Sequence, residues 1–377
     1  MQKAKLIIVT AACTAAITVG APMLYFGNSL SAIIKFGNVL KIMEDKFYFD
    51  YDDEKALDYA LSGLTIASDD KYTNYYSKEK YKSYVADGRN TYIGIGIVLG
   101  PADNEDVLKI YSVSDNSPAK EAGLETGDLI LKINGEAMSS QDVQRAAELI
   151  RDGNGKTEIM LKRDNKEFTV SVEKKSIGKN SVTSRILDDS TGYIKISAFD
   201  RKDNTDKESI DTYDEFKLEA DKLYSEGYKN LVIDLRNNPG GDVQVVTEIA
   251  DYLMPEGVIT YFEDKSGKRK YFNSDKEFKD FNIVVLVNGY SASASELLSG
   301  ALKDSGRAKI VGTKTYGKGI VQDVYSFSDG SGMSVTTARY YTPSGKCIHE
   351  IGIEPDVYVE QTKEDIQLEK ALELFEK

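Results

Sequence analysis

Residues 231–241 read Leu-Val-Ile-Asp-Leu-Arg-Asn-Asn-Pro-Gly-Gly. A short apolar run of this kind predicts a strand covered on both faces. The paired glycines that follow let the chain turn sharply and aim its N–H groups outward ahead of a helix, which suits a negative oxygen. A tight strand-to-helix turn accounts for the same glycines. Working outward, residues 283–287 (Ile-Val-Val-Leu-Val) form a second continuous apolar run, and residues 193–196 a third strand. Helical patterns over 211–228, 242–254 and 293–303 alternate with them. Strands covered on both faces and separated by helices predict an α/β core with central parallel pairing.

Upstream the pattern changes. Residues 91–175 read as a β-rich module with one helix. Asn134-Gly135 is a hairpin signal after a strand over 129–133. Ser140 reads as the cap of a helix whose apolar face is Val143, Ala146, Ala147 and Ile150. Residues 36–90 are helical in pattern. The tail from Thr362 opens with Thr-x-x-Asp and reads as a docking helix with Ile366, Leu368, Leu372 and Phe375 inward. The division expected is a segment 1–35, a helical region 36–90, a β-rich domain 91–175, a core 181–360 and a helix 361–377.

Residues 6–27 carry no charge, 22 positions in all, about the ~20 a helix needs to cross a bilayer. With Lys3 and Lys5 ahead of it, the run predicts a single-pass anchor with a cytoplasmic N-terminus, or a cleaved signal segment. Either leaves the rest of the chain exported.

Across the 377 residues, 61 acidic against 48 basic side chains give a net charge of −13, which disfavours nucleic acid as a partner. A single histidine, His349, excludes any site built on two histidine ligands. Cys13 and Cys347 lie in unrelated regions. With no metal-ligand cluster and no nucleotide loop, no cofactor is expected.

Two further stretches carry chemistry. Residues 288–296, Asn-Gly-Tyr-Ser-Ala-Ser-Ala-Ser-Glu, join a strand to a helix. Small residues there leave a serine hydroxyl accessible, yet Ser293-x-x-Glu296 is also a capping box. Lys318 stands between Gly317 and Gly319, where backbones approach closely. To take a proton from serine it must be neutral, so burial must depress its pKa. An ordinary surface lysine fits the same spacing.

Together these segments resemble the carboxyl-terminal processing peptidases, the tail-specific serine proteases of family S41, over residues 38–359. The resemblance rests on SASASE at 291–296, YGKGIVQ at 316–322, NPGG at 238–241 and YYTPSGKCIHEIGIEPDV at 340–357. GIGI at 94–97 and SPAKEAGLETGDLILKINGE at 117–136 look like a PDZ domain. The fold implied is a crotonase/ClpP-like α/β core with an inserted β-rich PDZ domain and an N-terminal helical segment.

The roles implied are Ser293 as nucleophile, Lys318 as general base and Gln322 as the residue holding that lysine. Ala294 with Gly240 or Gly241 would form the oxyanion hole, and Glu296 and Thr315 would support the site. His349 falls where the family needs none. In the PDZ segment, Gly94, Ile95, Gly96 and Ile97 would receive a substrate C-terminus beside Val143 and Ala147, and the domain can gate the dyad. The implied protein is an exported, membrane-anchored Ser-Lys endopeptidase acting on proteins with accessible C-terminal tails. Residues 36–49 and 362–377 offer amphipathic faces for a homodimer. A catalytically silent PDZ scaffold is the alternative from another class, and a crotonase-type acyl-CoA enzyme is a third.

Overall fold

The computed structural model describes residues 29–87, 91–114, 117–152, 155–178, 181–202 and 209–376. The chain divides into two units, residues 1–63 and 64–377. In the first, α1 (Leu30–Lys46) has no buried residue, and α2 (Asp53–Ile66) runs across the division. Phe47, Tyr48, Phe49 and Tyr51 make edge-to-face ring contacts after α1.

The membrane expectation is corrected here. No helix among the described residues is long and apolar enough to cross a membrane. The apolar run at 6–27, on which the single-pass placement rested, lies outside the described residues.

In the second unit, β1 (Asn74–Tyr76) and α3 (Lys78–Asp87) precede the β-rich region. There, β2 is Thr91–Gly94, β3 Ile97–Pro101, β4 Leu108–Val113, β5 Leu129–Ile133 and β6 Glu136–Ala137. A one-turn α4 (Pro118–Glu121) precedes β5, and α5 (Val143–Asp152) follows β6. The strands β7 (Lys156–Arg163), β8 (Lys166–Glu173) and β9 (Lys175–Gly178) complete the region. The antiparallel sheet runs β3-β4-β5-β7-β8, with β6 paired to β5.

Asn134 and Gly135 turn with positive φ, 50° and 83°, as the hairpin signal requires. Leu108, Ile110, Ile130, Ile159 and Leu161 alternate inward along their strands and meet Ala146 and Ile150 of α5. Ser140 does not cap that helix, which begins at Val143. Its hydroxyl donates instead to Asp106, 34 residues upstream, at 2.5 Å.

The remaining elements are β10 (Val182–Ile186), β11 (Thr191–Ile196), α6 (Thr212–Ser225), β12 (Asn230–Asp234), α7 (Val243–Leu253), β13 (Gly257–Asp264) and β14 (Arg269–Ser274). After them come β15 (Asn282–Val287), α8 (Ala294–Asp304), β16 (Ala308–Gly312), β17 (Ile320–Ser326), β18 (Gly332–Tyr341), β19 (Val357–Tyr358) and α9 (Ile366–Glu373). One sheet runs β10-β11-β12-β15-β16-β19, parallel from β11 onward. A second, antiparallel sheet runs β1-β18-β13-β14, with β17 on β18.

The parallel strands have two buried faces. Leu231, Ile233, Ile283, Val285 and Ile310 enter a core that also takes in Phe216 of α6, Val246 of α7 and Leu298 of α8. The alternate residues Val232, Val284, Leu286 and Val311 face a smaller cluster with Ala371 and Leu368 of α9. Each such side chain gains about 1.5–3 kcal/mol on burial. That explains why these strands read as unbroken apolar runs. The tail helix starts at Ile366, and Asp365 rather than Thr362 is its cap, accepting from the Leu368 N–H.

Candidate active site

Three loops leave the C-terminal ends of β12, β15 and β16, and parallel register brings those ends side by side (Asp234↔Leu286, Val287↔Gly312). Such an edge is where open α/β sheets place their sites. The first loop is Arg236 to Gly241. Its base is held by a buried network: Tyr193 Oη donates to Asp234 at 2.6 Å, and Arg236 joins Asp234 (2.6 Å) to Asp365 before α9 (2.6 Å). Arg236 holds the Asp365 carboxyl below the usual carboxylate range.

The buried Asn238 then fixes the loop's course. Its amide donates to Ile196 O at 3.0 Å, its Oδ1 accepts the Gly240 N–H at 2.8 Å, and its carbonyl accepts from Ser295 Oγ at 2.9 Å. Gly240 (φ +105°) lies against the serine loop. A Cβ there would stand 2.7 Å from Ala292 O, 2.8 Å from Ser293 Cβ and 2.9 Å from Ala294 N. Gly241 presses on the Phe199 backbone. Of the two glycines expected to donate outward, Gly240 therefore gives its N–H to Asn238. Those of Gly241 and Ala294 have no partner among the described residues.

Ser293 sits between β15 and α8 with φ 56° and ψ −113°. A cap residue ordinarily has β-region backbone. A non-glycine residue held at positive φ costs about 1–3 kcal/mol and persists only where its surroundings fix it. Two contacts do so. The Ser293 N–H donates to Glu296 Oε2 at 2.9 Å, and its carbonyl accepts from Tyr340 Oη at 2.9 Å. Tyr340 is fully buried, and desolvation pushes its hydroxyl well above the ordinary tyrosine range.

Glu296 joins two loops. It is 0% exposed, and its carboxylate accepts from the Ser293 N–H, Thr315 Oγ1 (2.6 Å), the Gly317 N–H (2.7 Å) and the Lys318 N–H (2.8 Å). Four donors on one buried carboxylate compensate its desolvation. They also fix the serine loop to the lysine loop. Thr315 in turn accepts from the Ile353 N–H at 2.6 Å.

Ser293, Ala294, Gly240, Gly241, Lys318 and Gln322 all line one cleft of about 2140 Å³, large enough for several residues of extended chain. Lys318 is half-buried, and burial is the main cause holding its pKa below the ordinary lysine value. Its ammonium lies 4.6 Å from the centre of the Tyr72 ring. No hydrogen bond among the described residues joins it to Ser293 or Gln322. The Gln322 amide instead donates to Thr336 Oγ1 at 3.1 Å. A Cβ on Gly319 would collide with the His349 backbone, and His349 Nδ1 is buried without a partner.

In the β-rich module, Gly94 ends β2, Gly96 turns with φ 82°, and Ile97 opens β3. Ile95 is buried in the module's core, with Ile97 and Val143 packed beside it. Asn238, Tyr340 and Tyr72 escaped the sequence reading, although Asn238 and Tyr340 stand inside quoted motifs.

A strained serine at a strand-to-helix turn, beside a glycine loop and a half-buried lysine, defines a serine hydrolase. The peptidase family S41 model matches residues 190–359, and a PDZ domain model matches residues 109–163. A protein of Staphylococcus aureus (strain N315) described as a CtpA-like serine protease is 33% identical over 378 residues, covering 96% of this chain and 73% of its own length. One from Staphylococcus saprophyticus is 31% identical over 333 residues, 87% of this chain and 65% of that protein. Another, from S. aureus strain COL, is covered over 66% of its length. The chain thus spans about two thirds to three quarters of these relatives.

The photosystem II D1 C-terminal processing protease superposes with TM-score 0.52 at 27% identity, over 90% of this chain and 91% of that one. An S41 protease structure from Bacteroides fragilis (TM-score 0.53, 17% identity, 87% and 91% covered) shares the fold. The chain belongs to peptidase family S41, as a CtpA-like serine peptidase with a PDZ domain.

Proposed function

We propose that the chain is an endopeptidase in which Ser293 attacks the peptide carbonyl and Lys318 acts as general base. The observation that carries this reading is the Glu296 carboxylate, which binds the backbone N–H groups of both residues at the rim of one cleft. In the first step, neutral Lys318 Nζ takes the Ser293 Oγ proton as Oγ bonds to the carbonyl carbon. The carbonyl oxygen becomes an oxyanion, received by the Ala294 and Gly241 N–H groups. As the C–N bond breaks, the lysine ammonium returns the proton to the leaving amine. Water, activated by the same lysine, then releases the acyl group from Ser293. Gln322 orients Lys318 once the two approach, and Thr315 steadies Glu296.

The PDZ module supplies substrate choice. Gly94–Ile97 and Val143 would take an extended C-terminal segment by strand addition. Phe262, Leu297 and Val321 on the cleft wall suit apolar side chains near the cleaved bond. A domain division at about 91–175 and 181–360 accompanies this reading.

The test is cleavage of an unfolded reporter with a free apolar C-terminus by parent, Ser293→Ala and Lys318→Ala. Hydrolysis by the parent alone is expected, and equal hydrolysis by Ser293→Ala overturns the assignment. The silent-scaffold reading draws on one observation, the Lys318 ammonium resting on Tyr72 instead of Ser293. A parent that binds C-terminal peptides and never cleaves would favour it.

A further inference from the structure

The segment between α2 and β1 crosses the lysine loop and touches it twice. Lys318 Nζ stands 4.6 Å from the Tyr72 ring centre, and Lys71 Nζ donates to Tyr316 Oη, two residues before Lys318, at 2.8 Å. The segment is anchored. Tyr72 O accepts from Ser334 Oγ at 2.9 Å, Thr73 Oγ1 accepts the Thr336 N–H at 3.0 Å, and Asp70 accepts from Thr73 Oγ1 at 2.7 Å. Thr336 is also the acceptor of the Gln322 amide. One short stretch therefore engages the lysine through a ring and reaches the glutamine through its strand partner.

The face of an aromatic ring attracts an ammonium and has no comparable attraction for a neutral amine. The contact thus favours the protonated lysine, the form unable to accept the serine proton. Geometry and charge work in one direction: the lysine nitrogen lies 4.6 Å from the ring centre with no hydrogen bond to Ser293 among the described residues, and the ring favours its charged form.

We propose that Tyr72 is a positioning residue that parks the Lys318 ammonium away from Ser293, and that displacement of the 70–73 segment releases the base. This rests on the Ser-Lys reading above. The charged and titratable groups facing Lys318 are Asp70, Lys71 and Tyr72 from this segment, Tyr316 from its own loop and Glu296 from α8. Burial and Lys71 favour the neutral amine, whereas Asp70, Tyr316 and Glu296 favour the ammonium. His349 stands near Asp70.

The experiment uses the full chain as parent, Tyr72→Phe and Tyr72→Leu, with Tyr72→Met in place of leucine should that variant unfold. Reporter cleavage is followed against pH. In parallel, Lys318 acetylation by acetic anhydride is followed against pH by mass spectrometry in a Ser293→Ala background. Tyr72→Leu is expected to raise kcat near neutral pH by about 2- to 10-fold, the scale of one lost cation–π contact. It should also move the rising limb of the profile and the acetylation midpoint to lower pH, with KM unchanged. Tyr72→Phe, which keeps the ring, should match the parent.

An acetylation midpoint that stays put in Tyr72→Leu overturns the parking role, as does a lowered kcat with an unmoved pH limb. A shifted midpoint in a chain that never cleaves would uphold the contact and defeat the Ser-Lys reading instead.

Discussion

The serine half and the lysine half of the cleft are built to different standards. Around Ser293, Asn238, Tyr340 and Glu296 satisfy the backbone polar groups and hold a strained φ in place. Around Lys318 only the backbone is fixed, through Glu296, while its ammonium rests on Tyr72 and the Gln322 amide is bound to Thr336. On the proposed roles, the nucleophile and its N–H donors are preorganised, and the base would complete the site by a side-chain movement. Preorganised donors are the costlier part to assemble during a reaction. A single side-chain rotation is the cheaper part to leave adjustable.

The sharpest way to break this comparison is at the serine. Ser293→Ala should reduce reporter hydrolysis by at least about 10³-fold with an unchanged circular dichroism spectrum. Glu296→Gln comes next, because it removes a charge that four donors share and turns an NH2 group toward N–H groups. Urea denaturation should show a loss of about 2–4 kcal/mol, and turnover should fall about 10²-fold. Should Glu296→Gln keep full turnover, the two loops are not coupled through that carboxylate.

Gly240→Ala forces a Cβ against Ala292 O, Ser293 Cβ and Ala294 N at positive φ. A drop in kcat of about 10- to 100-fold with little change in KM is expected, since the fault lies at the proposed oxyanion position. Gln322→Ala should cost less than about 10-fold, its amide being bound to Thr336.

Lys318→Met is the subtlest. Burial holds the folded lysine's pKa below its ordinary value, whereas the unfolded chain keeps that proton to about 10.4. Between those two points the unfolded state binds more protons, so the parent's stability rises with pH there. Below that window the whole penalty is present. Lys318→Met should therefore melt higher than the parent at pH 7, and the gap should close as pH rises toward 10.

Much of the core was legible because its strands are covered on both faces. Val232 and Ile233 point to opposite clusters, so neither face shows a polar residue and the run stands out. The Asn134-Gly135 hairpin was legible because its chemistry is local. Helix starts were less so. Ser140 and Thr362 have good capping chemistry, but Asp106 captures the first, and Asp365 both caps α9 and binds Arg236. Ser293, Lys318 and Glu296 were singled out through motif order; that Ser293 and Lys318 line one cleft, with the buried Glu296 bonded to both backbones, is a matter of sheet register. Tyr72 gave no signal at all, since its partner lies 246 positions further along and an aromatic-rich stretch reads as packing. The anchor reading rested on the uncharged run at 6–27 with Lys3 and Lys5 ahead of it, and no described helix is long and apolar enough to span a membrane.

The parallel register that sets these three loops side by side also has a consequence in time. Asn238, Ser293 and Lys318 lie at the ends of strands that pair only after long stretches of chain between them have been ordered. Such non-local pairing is slow and comes late in folding. Until it closes, Ser293 has no fixed backbone strain and no N–H donors around it, and it is chemically an ordinary serine. With Ser293 as the proposed nucleophile, a chain emerging from synthesis would carry no competent site, and its own unfolded segments would be safe from it through the interval when they are most exposed.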